Sequence, residues 1–444
     1  MHMMRITWFG HLKKMICLGV ISVILGLAML TLVFCLPVDS MRRHVSASAD
    51  TMLMDASQLS ERGWLRYIWE HRESYTDAIM VQNAIEKIEG KSAYEHAMWA
   101  YHSDLDANVW TPEPSLDYLA AGGDASVMFL HQYSRYWHGY LVYLKPLLMV
   151  LTWEQIVWLG AGLQVLLTLT VLFFSLKRKR PEIGIALLAG MIFMKPVLML
   201  ASFAMTVCWV ITLAALLIIL LGHEKIEQRD AYPELFLMIG ISVAYFDFLT
   251  YPVVTLGFPL CAYFLIKREE TIKTNVVRMI AYSVCWCLGY LGMWGMKWVI
   301  ADLTLHTGTI KSAAGSILGW TEAIGGRPRF SGGFYVISLN LQQYGSLLYP
   351  LAATALVLLC AVVFAYACRK TSLKRALACC VPYVLIACIP FAWYIVVQHH
   401  SGLHVAFTFR VASAAGMALG SMILGLLRLG REFEGSFPKG TSGN

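Results

Sequence analysis

EQIVWLGAGLQVLLTLTVLFFSLKRKR, residues 154–180, decides how the chain is read. From Glu154 to Leu176 it is apolar for long enough to cross a hydrocarbon core of about 30 Å. It then stops at Lys177-Arg-Lys-Arg180, and a basic stop of this kind marks a cytoplasmic end. Upstream, another apolar run covers about Met15 to Leu36, preceded by Arg5, Lys13 and Lys14. It is longer than a signal-peptide core and no small-residue cleavage site follows closely, so it reads as an uncleaved anchor with a cytoplasmic N-terminus. A span that starts inside, followed by one that ends inside, obliges the polar block between them, 37–153, to lie outside.

Downstream the alternation continues. Apolar runs cover about 183–198, 199–222, 234–249, 251–267, 277–300, 347–368, 376–397 and 411–428, which makes about ten spans. The loops assigned to the cytoplasm carry the charge: Lys267, Arg268, Lys273 and Arg278, then Arg369, Lys370, Lys374 and Arg375, and finally Arg428, Arg431 and Lys439. Short loops assigned outside hold almost no Lys or Arg, as the positive-inside rule requires. The expected fold is therefore all-α and polytopic, in five parts. Residues 1–36 form the cytoplasmic N-terminus and first span, 37–153 an external block, and 154–300 spans two to seven. Residues 301–346 form a second external loop, and 347–444 the last spans with a short cytoplasmic tail.

Composition agrees. Apolar residues make up 58% of the 444 positions and charged residues 14%, against about 25% charge in a soluble chain. The net charge of +7 lies mostly in topology-setting loops, which argues against a nucleic-acid partner. All 11 cysteines fall in or at the ends of apolar runs, so the external block has neither a disulfide framework nor a Cys-rich metal site. No glycine-rich phosphate loop or Ser-His-Asp arrangement appears, and no cytoplasmic segment is long enough for a nucleotide-binding domain.

The external block carries helix-period stretches. Tyr75–Ile88 is one, with Thr76 or Asp77 placed to cap its start. Tyr140–Val150 is another, too short to span and suited to a re-entrant or interfacial helix. Trp64, Trp69, Trp99, Trp110 and Trp137 suit a folded cap resting on the membrane surface. The second external loop, Thr304–Gly333, is rich in Gly, Ser and Thr and reads as a mobile lid or a linker.

Ionisable groups at membrane depth are costly and mark functional positions. Lys195, Lys297, Arg135, Lys145 and Arg410 all fall toward the external side, as does Asp247 in Tyr245-Phe-Asp-Phe-Leu-Thr-Tyr-Pro252. Cations gathered at that leaflet suit an anionic lipid head group. Each also has a structural reading: snorkelling for Lys195, helix capping for Asp247, a helix-end anchor for Arg410. Two short blocks combine aromatic, imidazole and guanidinium groups. Ser134-Arg-Tyr-Trp-His-Gly-Tyr140 contains Arg135, Trp137 and His138. Gln398-His-His-Ser-Gly-Leu-His404, with His400 and His404, runs into Phe407-Thr-Phe-Arg410. Three histidines raise the possibility of a metal, but no carboxylate or Cys lies near them. Asp104-Leu-Asp106 matches the D-x-D pattern that holds a divalent ion in sugar-nucleotide enzymes, a pattern common by chance in polar loops.

The blocks Tyr136–Tyr140, Tyr245–Pro252 and His400–Arg410, set in this topology, resemble GT-C class membrane glycosyltransferases and GT-C-like polytopic proteins of Gram-positive bacteria. The resemblance covers most of the chain in topology and rests on short motifs. It implies transfer of a sugar from a polyprenyl-phosphate donor to a cell-envelope acceptor on the outer face, with no organic cofactor. It also implies a carboxylate base in the first external loop: Asp77, with Asp50 and Asp55 as rivals nearer the span. Arg135, His138, Lys195, Lys297 and Arg410 would stabilise the leaving phosphate, and the base would act on the acceptor hydroxyl. A transporter or flippase of a lipid-linked substrate and a polysaccharide polymerase or ligase are the competing readings.

Overall fold

The computed structural model describes residues 8–48, 74–267, 271–322 and 324–434. Arg5, Asp50, Asp55, Trp64, Trp69, Arg268 and Lys439 lie outside these residues. Within them the protein is an all-α polytopic membrane protein. Seven helices are long and apolar enough to cross a membrane, and three further apolar helices are shorter.

The first span, α1 (Trp8–Val33), leads into a cap made of α2 (Asp39–Ser46), α3 (Ser74–Ile85), α4 (Ala93–Trp99), strand β1 (Tyr101–Asp104), α5 (Pro112–Ala120), strand β2 (Phe129–Gln132) and α6 (Leu141–Leu148). The two strands form one short antiparallel hairpin pairing Tyr101 with Gln132 and Asp104 with Phe129. The sequence reading had missed it because four-residue strands leave almost no periodicity. Asp77 sits in the first turn of α3, not ahead of it.

The membrane bundle follows as α7 (Trp153–Lys177), α8 (Pro181–Ile192), α9 (Thr206–Gln228), α10 (Tyr232–Phe246), α11 (Val254–Ile266) and α12 (Ile272–Leu305). After it come α13 (Thr309–Thr321), α14 (Arg329–Gln342), α15 (Leu348–Lys370), α16 (Leu373–Val396), α17 (Gln398–Leu403) and α18 (Ser413–Glu434). Local chemistry explains the starts. Thr152 and Gln155 form a reciprocal capping box at α7, Pro181 and Pro233 occupy first-turn positions of α8 and α10, and Thr271 and Ser372 cap α12 and α16. Thr304–Gly333 is mostly helical, through α13 and the start of α14. The inward positions of both helices are mostly small or polar, Thr309 and Ala313 in α13 and Gly332, Gly333, Val336 and Asn340 in α14, while Leu318, Phe330 and Phe334 are exposed.

One end of the bundle gathers the charges. His11 of α1 reaches Glu234 (2.8 Å) and Asp230 (3.2 Å). Lys267 pairs with Glu227, and Arg428 of α18 donates to the Leu265 carbonyl (2.7 Å) and approaches Glu182 (3.7 Å). This is the basic face; the cap covers the other. Helix α18 is central: 78% of its most apolar stretch is buried, against 11% for α1 and 17% for α15. Helices α10 and α12 pack closest. A Cβ on Gly240 would meet the Trp286 carbonyl at 2.1 Å, and one on Gly289 would meet the Leu237 carbonyl at 2.1 Å. Paired glycines let two backbones approach where lipid gives no hydrophobic drive to pack.

Three helices of the bundle stop short. At 1.5 Å per residue, α8, α10 and α11, with 12, 15 and 13 residues, extend only about 18–22 Å of a core about 30 Å thick. Each is anchored at the basic face, so the shortfall lies toward the cap. Pro196 forbids helical geometry before it, and Lys195 takes φ 48°. Helix α10 stops at Asp247, whose carboxylate accepts from the Thr250 N–H (2.8 Å) and hydroxyl (2.5 Å), while Leu249 takes φ 59°. The segments 193–205 and 247–253 thus form an irregular floor below the cap. Non-helical backbone at such depth is tolerated only where protein covers it or water reaches it.

Candidate functional site

The floor is where the sequence blocks meet, although they lie more than 100 residues apart. The Gly139 N–H donates to the Tyr245 carbonyl (2.9 Å). The Tyr136 ring lies 5.3 Å from Phe248, beside Asp247, and stacks on Trp294 at 5.6 Å. From Trp294 an aromatic ladder continues to Trp320 (5.7 Å) and His400 (5.7 Å). The ring Nε2 of His400 donates to the Leu249 carbonyl at 3.2 Å, and His404 lies 4.8 Å from His400 and stacks on Phe407. Tyr136–Tyr140, Tyr245–Pro252 and the His400 block therefore share one surface.

Within it, His138 is fixed rather than free. Its Nε2 faces the Tyr133 carbonyl at 2.9 Å, so that nitrogen carries the proton. The Nδ1 lies 3.0 Å from the Tyr140 hydroxyl, whose one proton is shared between this nitrogen and the Asn83 Oδ1 at 3.2 Å. Burial holds this imidazole down to about 3, so it stays neutral. Trp137 is fully buried and donates to the Met293 carbonyl (2.6 Å). The Arg135 carbonyl accepts from both Trp294 and Trp298, at 2.6 and 2.8 Å, and its guanidinium donates to the Ser316 hydroxyl at 2.7 Å. These bonds tie the 134–140 block to α12 and α13.

A second centre contains the cations. The Lys195 ammonium lies 5.6 Å from the Phe409 ring centroid and the Arg410 guanidinium 4.5 Å from it. Lys195 donates to the Gln343 carbonyl (2.6 Å) and Arg410 to the Ala406 carbonyl (2.8 Å). The Tyr344 hydroxyl, which the sequence reading did not single out, holds the ring in place. It donates toward the carbonyls of Phe193 (2.9 Å) and Phe409 (3.2 Å). Arg410 is only 2% exposed. Two fixed positive charges around one ring, Arg410 buried and Lys195 half-buried, form a site whose natural complement is an anion.

One expected phosphate ligand, Lys297, is engaged elsewhere, as is Lys145 on the approach to the second span. Lys297 is fully buried under Trp137 and donates to the Ala97 carbonyl in the last turn of α4 (2.6 Å). Lys145 donates to the Ala84 carbonyl in the last turn of α3 (2.6 Å). Each satisfies an orphan carbonyl at a helix C-terminus, where the helix dipole favours a cation. Sequence spacing does not reveal such a partner, because donor and carbonyl lie 200 and 61 residues apart.

Asp77 meets the floor directly. It is 4% exposed and accepts from the N–H groups of Phe203 (3.1 Å) and Ala204 (2.8 Å), and from the Ser202 hydroxyl (3.3 Å). This geometry docks the cap onto the segment leading into α9. Base chemistry at Asp77 requires that an acceptor hydroxyl reach a carboxylate that is buried and already accepts three hydrogen bonds. The Asp104-Leu-Asp106 motif is likewise absorbed locally. Asp104 accepts from Thr111 and Ser115, and Asp106 from the Asn108 and Val109 N–H groups. Among the described residues no group of three His, Cys, Asp or Glu side chains is placed to hold a metal ion.

Comparison with family models, with curated proteins and with solved structures gives no match. The site alone carries the functional argument.

Proposed function

We propose that this protein is a GT-C-like membrane glycosyltransferase, using a polyprenyl-phosphate-linked sugar and a cell-envelope acceptor at the cap face. The carrying observation is the meeting of Lys195 and Arg410 around Phe409 on a floor recessed below the cap. In this reading the anomeric C–O bond to phosphate breaks, the phosphate leaves with the electron pair, and the acceptor oxygen attacks the anomeric carbon. Fixed cations near the leaving oxygens favour the transition state over the ground state. Asp77 holds the floor segment that follows Lys195, and it serves as base once the acceptor hydroxyl reaches its carboxylate.

Access from the bilayer supports the reading. A lateral apolar cavity of about 320 Å³, lined by Leu163, Phe203, Val207 and Phe246 among others, lies beside the floor between α7 and α9. An isoprenoid chain fits such a groove while its phosphate stays at floor height. By the positive-inside rule the basic face is cytoplasmic and the cap external. No step in this scheme needs a cofactor.

A second reading, a flippase of a lipid-linked substrate, draws on the short helices α8, α10 and α11, since interrupted helices mark transporter sites. Mass spectrometry of lipids retained in mild detergent, joined to a transfer assay with a glycosylated polyprenyl phosphate, tests both. Carrier retained by the wild type and lost in Arg410→Met, together with sugar transfer, supports the transferase. Carrier retention without transfer favours the flippase, and retention of bulk phospholipid alone removes the premise of both.

A further inference from the structure

At the opposite end of the molecule, α1 and α12 part to leave a groove. Near the cap α1 is held by the Tyr245 hydroxyl, which donates to the Gly26 carbonyl (2.7 Å). At the basic face it is held by His11, clasped between Glu234 and Asp230. Between these two fixings lies a cavity of about 660 Å³. Its α1 wall is Leu12 and Met15, and its α12 wall is one stripe through Val277, Ile280, Val284 and Leu288. That stripe repeats at helical spacing, and one turn before Val277 it reaches the exposed Lys273. Lys13 and the 62%-exposed Lys14 stand at the same end of the α1 wall. Among the described residues, two acids at this end are already engaged: Glu234 meets His11 at 2.8 Å and Lys14 at 3.8 Å, and Asp230 meets His11.

We infer that this groove holds one anionic phospholipid, its acyl chain along the Val277–Leu288 stripe and its phosphate between Lys14 and Lys273. The charges are complementary: an apolar channel closed at its water end by lysines from both walls matches a lipid with a negative head group, and basic pockets between spanning helices are known anionic-lipid sites. The occupant is a resident lipid of the basic-face leaflet. The inference does not depend on the proposed transfer reaction, whose site is at the cap.

The full chain, reconstituted in vesicles of phosphatidylcholine with or without phosphatidylglycerol and re-extracted in mild detergent, is examined by native mass spectrometry. The wild type is expected to retain phosphatidylglycerol in preference to phosphatidylcholine. Neutralising both Lys14→Gln and Lys273→Gln should weaken that retention about thirtyfold, at roughly five- to sixfold per lysine. Val284→Trp, which fills the groove and leaves the lysines, should displace the lipid as well. Both variants are compared at equal folded fraction, judged by their unfolding midpoints in lipid-free detergent. Equal retention of the two lipids by the wild type, or undiminished phosphatidylglycerol retention in either variant, overturns the inference.

Discussion

The carboxylate of Asp77, in a cap helix, lies 2.8 Å from the main-chain nitrogen of Ala204, on the floor of the membrane bundle. With the Phe203 bond beside it, this is a fixed, buried joint between two parts of the fold that sequence places 127 residues apart.

Replacing Asp77 by Asn puts a donor amide against main-chain donors. A buried N–H left without its acceptor costs about 1–3 kcal/mol, and the remaining Asn oxygen can still accept from Ala204, so Asp77→Asn should lower stability by about 1–3 kcal/mol. The thermal unfolding midpoint in detergent measures this. A midpoint equal to wild type, with transfer abolished, would return Asp77 to a purely catalytic role.

Lys297→Met should touch stability and leave the anion site alone. An apolar chain of similar length removes the desolvation cost of the buried ammonium but leaves the buried Ala97 carbonyl without its donor, so the midpoint should fall by about 1–3 kcal/mol equivalent. Carrier-lipid retention should move by less than about twofold. Arg410→Met should lose carrier at least about tenfold. Equal losses in both variants would show that Lys297 belongs to the anion site.

The cap should weaken in acid. Burial lowers the His138 imidazole to about 3; burial, then the nearby His131, lowers His102 to about 4. Both are neutral when folded but take up protons near 6.5 when unfolded. The unfolded chain therefore binds more protons below that pH, and stability present above 6.5 is lost as pH falls toward 4. Each histidine contributes a slope of about 1.4 kcal/mol per pH unit. His102→Phe should flatten the midpoint-versus-pH curve over this interval; an unchanged slope would contradict the burial argument.

At the α10–α12 crossing, Gly289→Val should cost at least about 3 kcal/mol, because its branch would enter the Leu237 backbone. Gly292, one turn along, has nothing within 4 Å of a built Cβ. Gly292→Ala should be neutral or stabilise by up to about 1 kcal/mol. Folded yield by size-exclusion chromatography separates the two, and equal yields would count against the close crossing.

The alternation of apolar runs with Lys- and Arg-rich loops was legible because the bilayer imposes a length and a charge rule on each segment independently. Lys195 and Arg410 could be singled out by their cost at depth, yet their shared ring could not be foreseen. Phe409 joins them only after α14 brings Tyr344 to Phe193. The Tyr136–Trp294–Trp320–His400 ladder leaves little trace in the sequence; the one available sign is that Trp294 and Trp298, whose rings meet at 4.9 Å, are spaced four apart on one helix. Composition did not reveal the helices in Thr304–Gly333, because their glycines and serines carry little helical signal. The partners of Lys145 and Lys297 were hidden for a different reason: a lysine facing a helix C-terminus and one facing a phosphate look the same in a sequence.

Because α8, α10 and α11 end early, the solvent boundary of this protein does not follow the divisions of its chain. Trp137, Tyr140 and Leu144 belong to a polar block by position, yet all three are fully buried over a floor where turns of helix are missing. For them the surrounding medium is protein backed by hydrocarbon, as it is for a residue in mid-span. A charge introduced there is an insertion defect rather than a surface change, and tolerance maps drawn from hydropathy alone will misplace it.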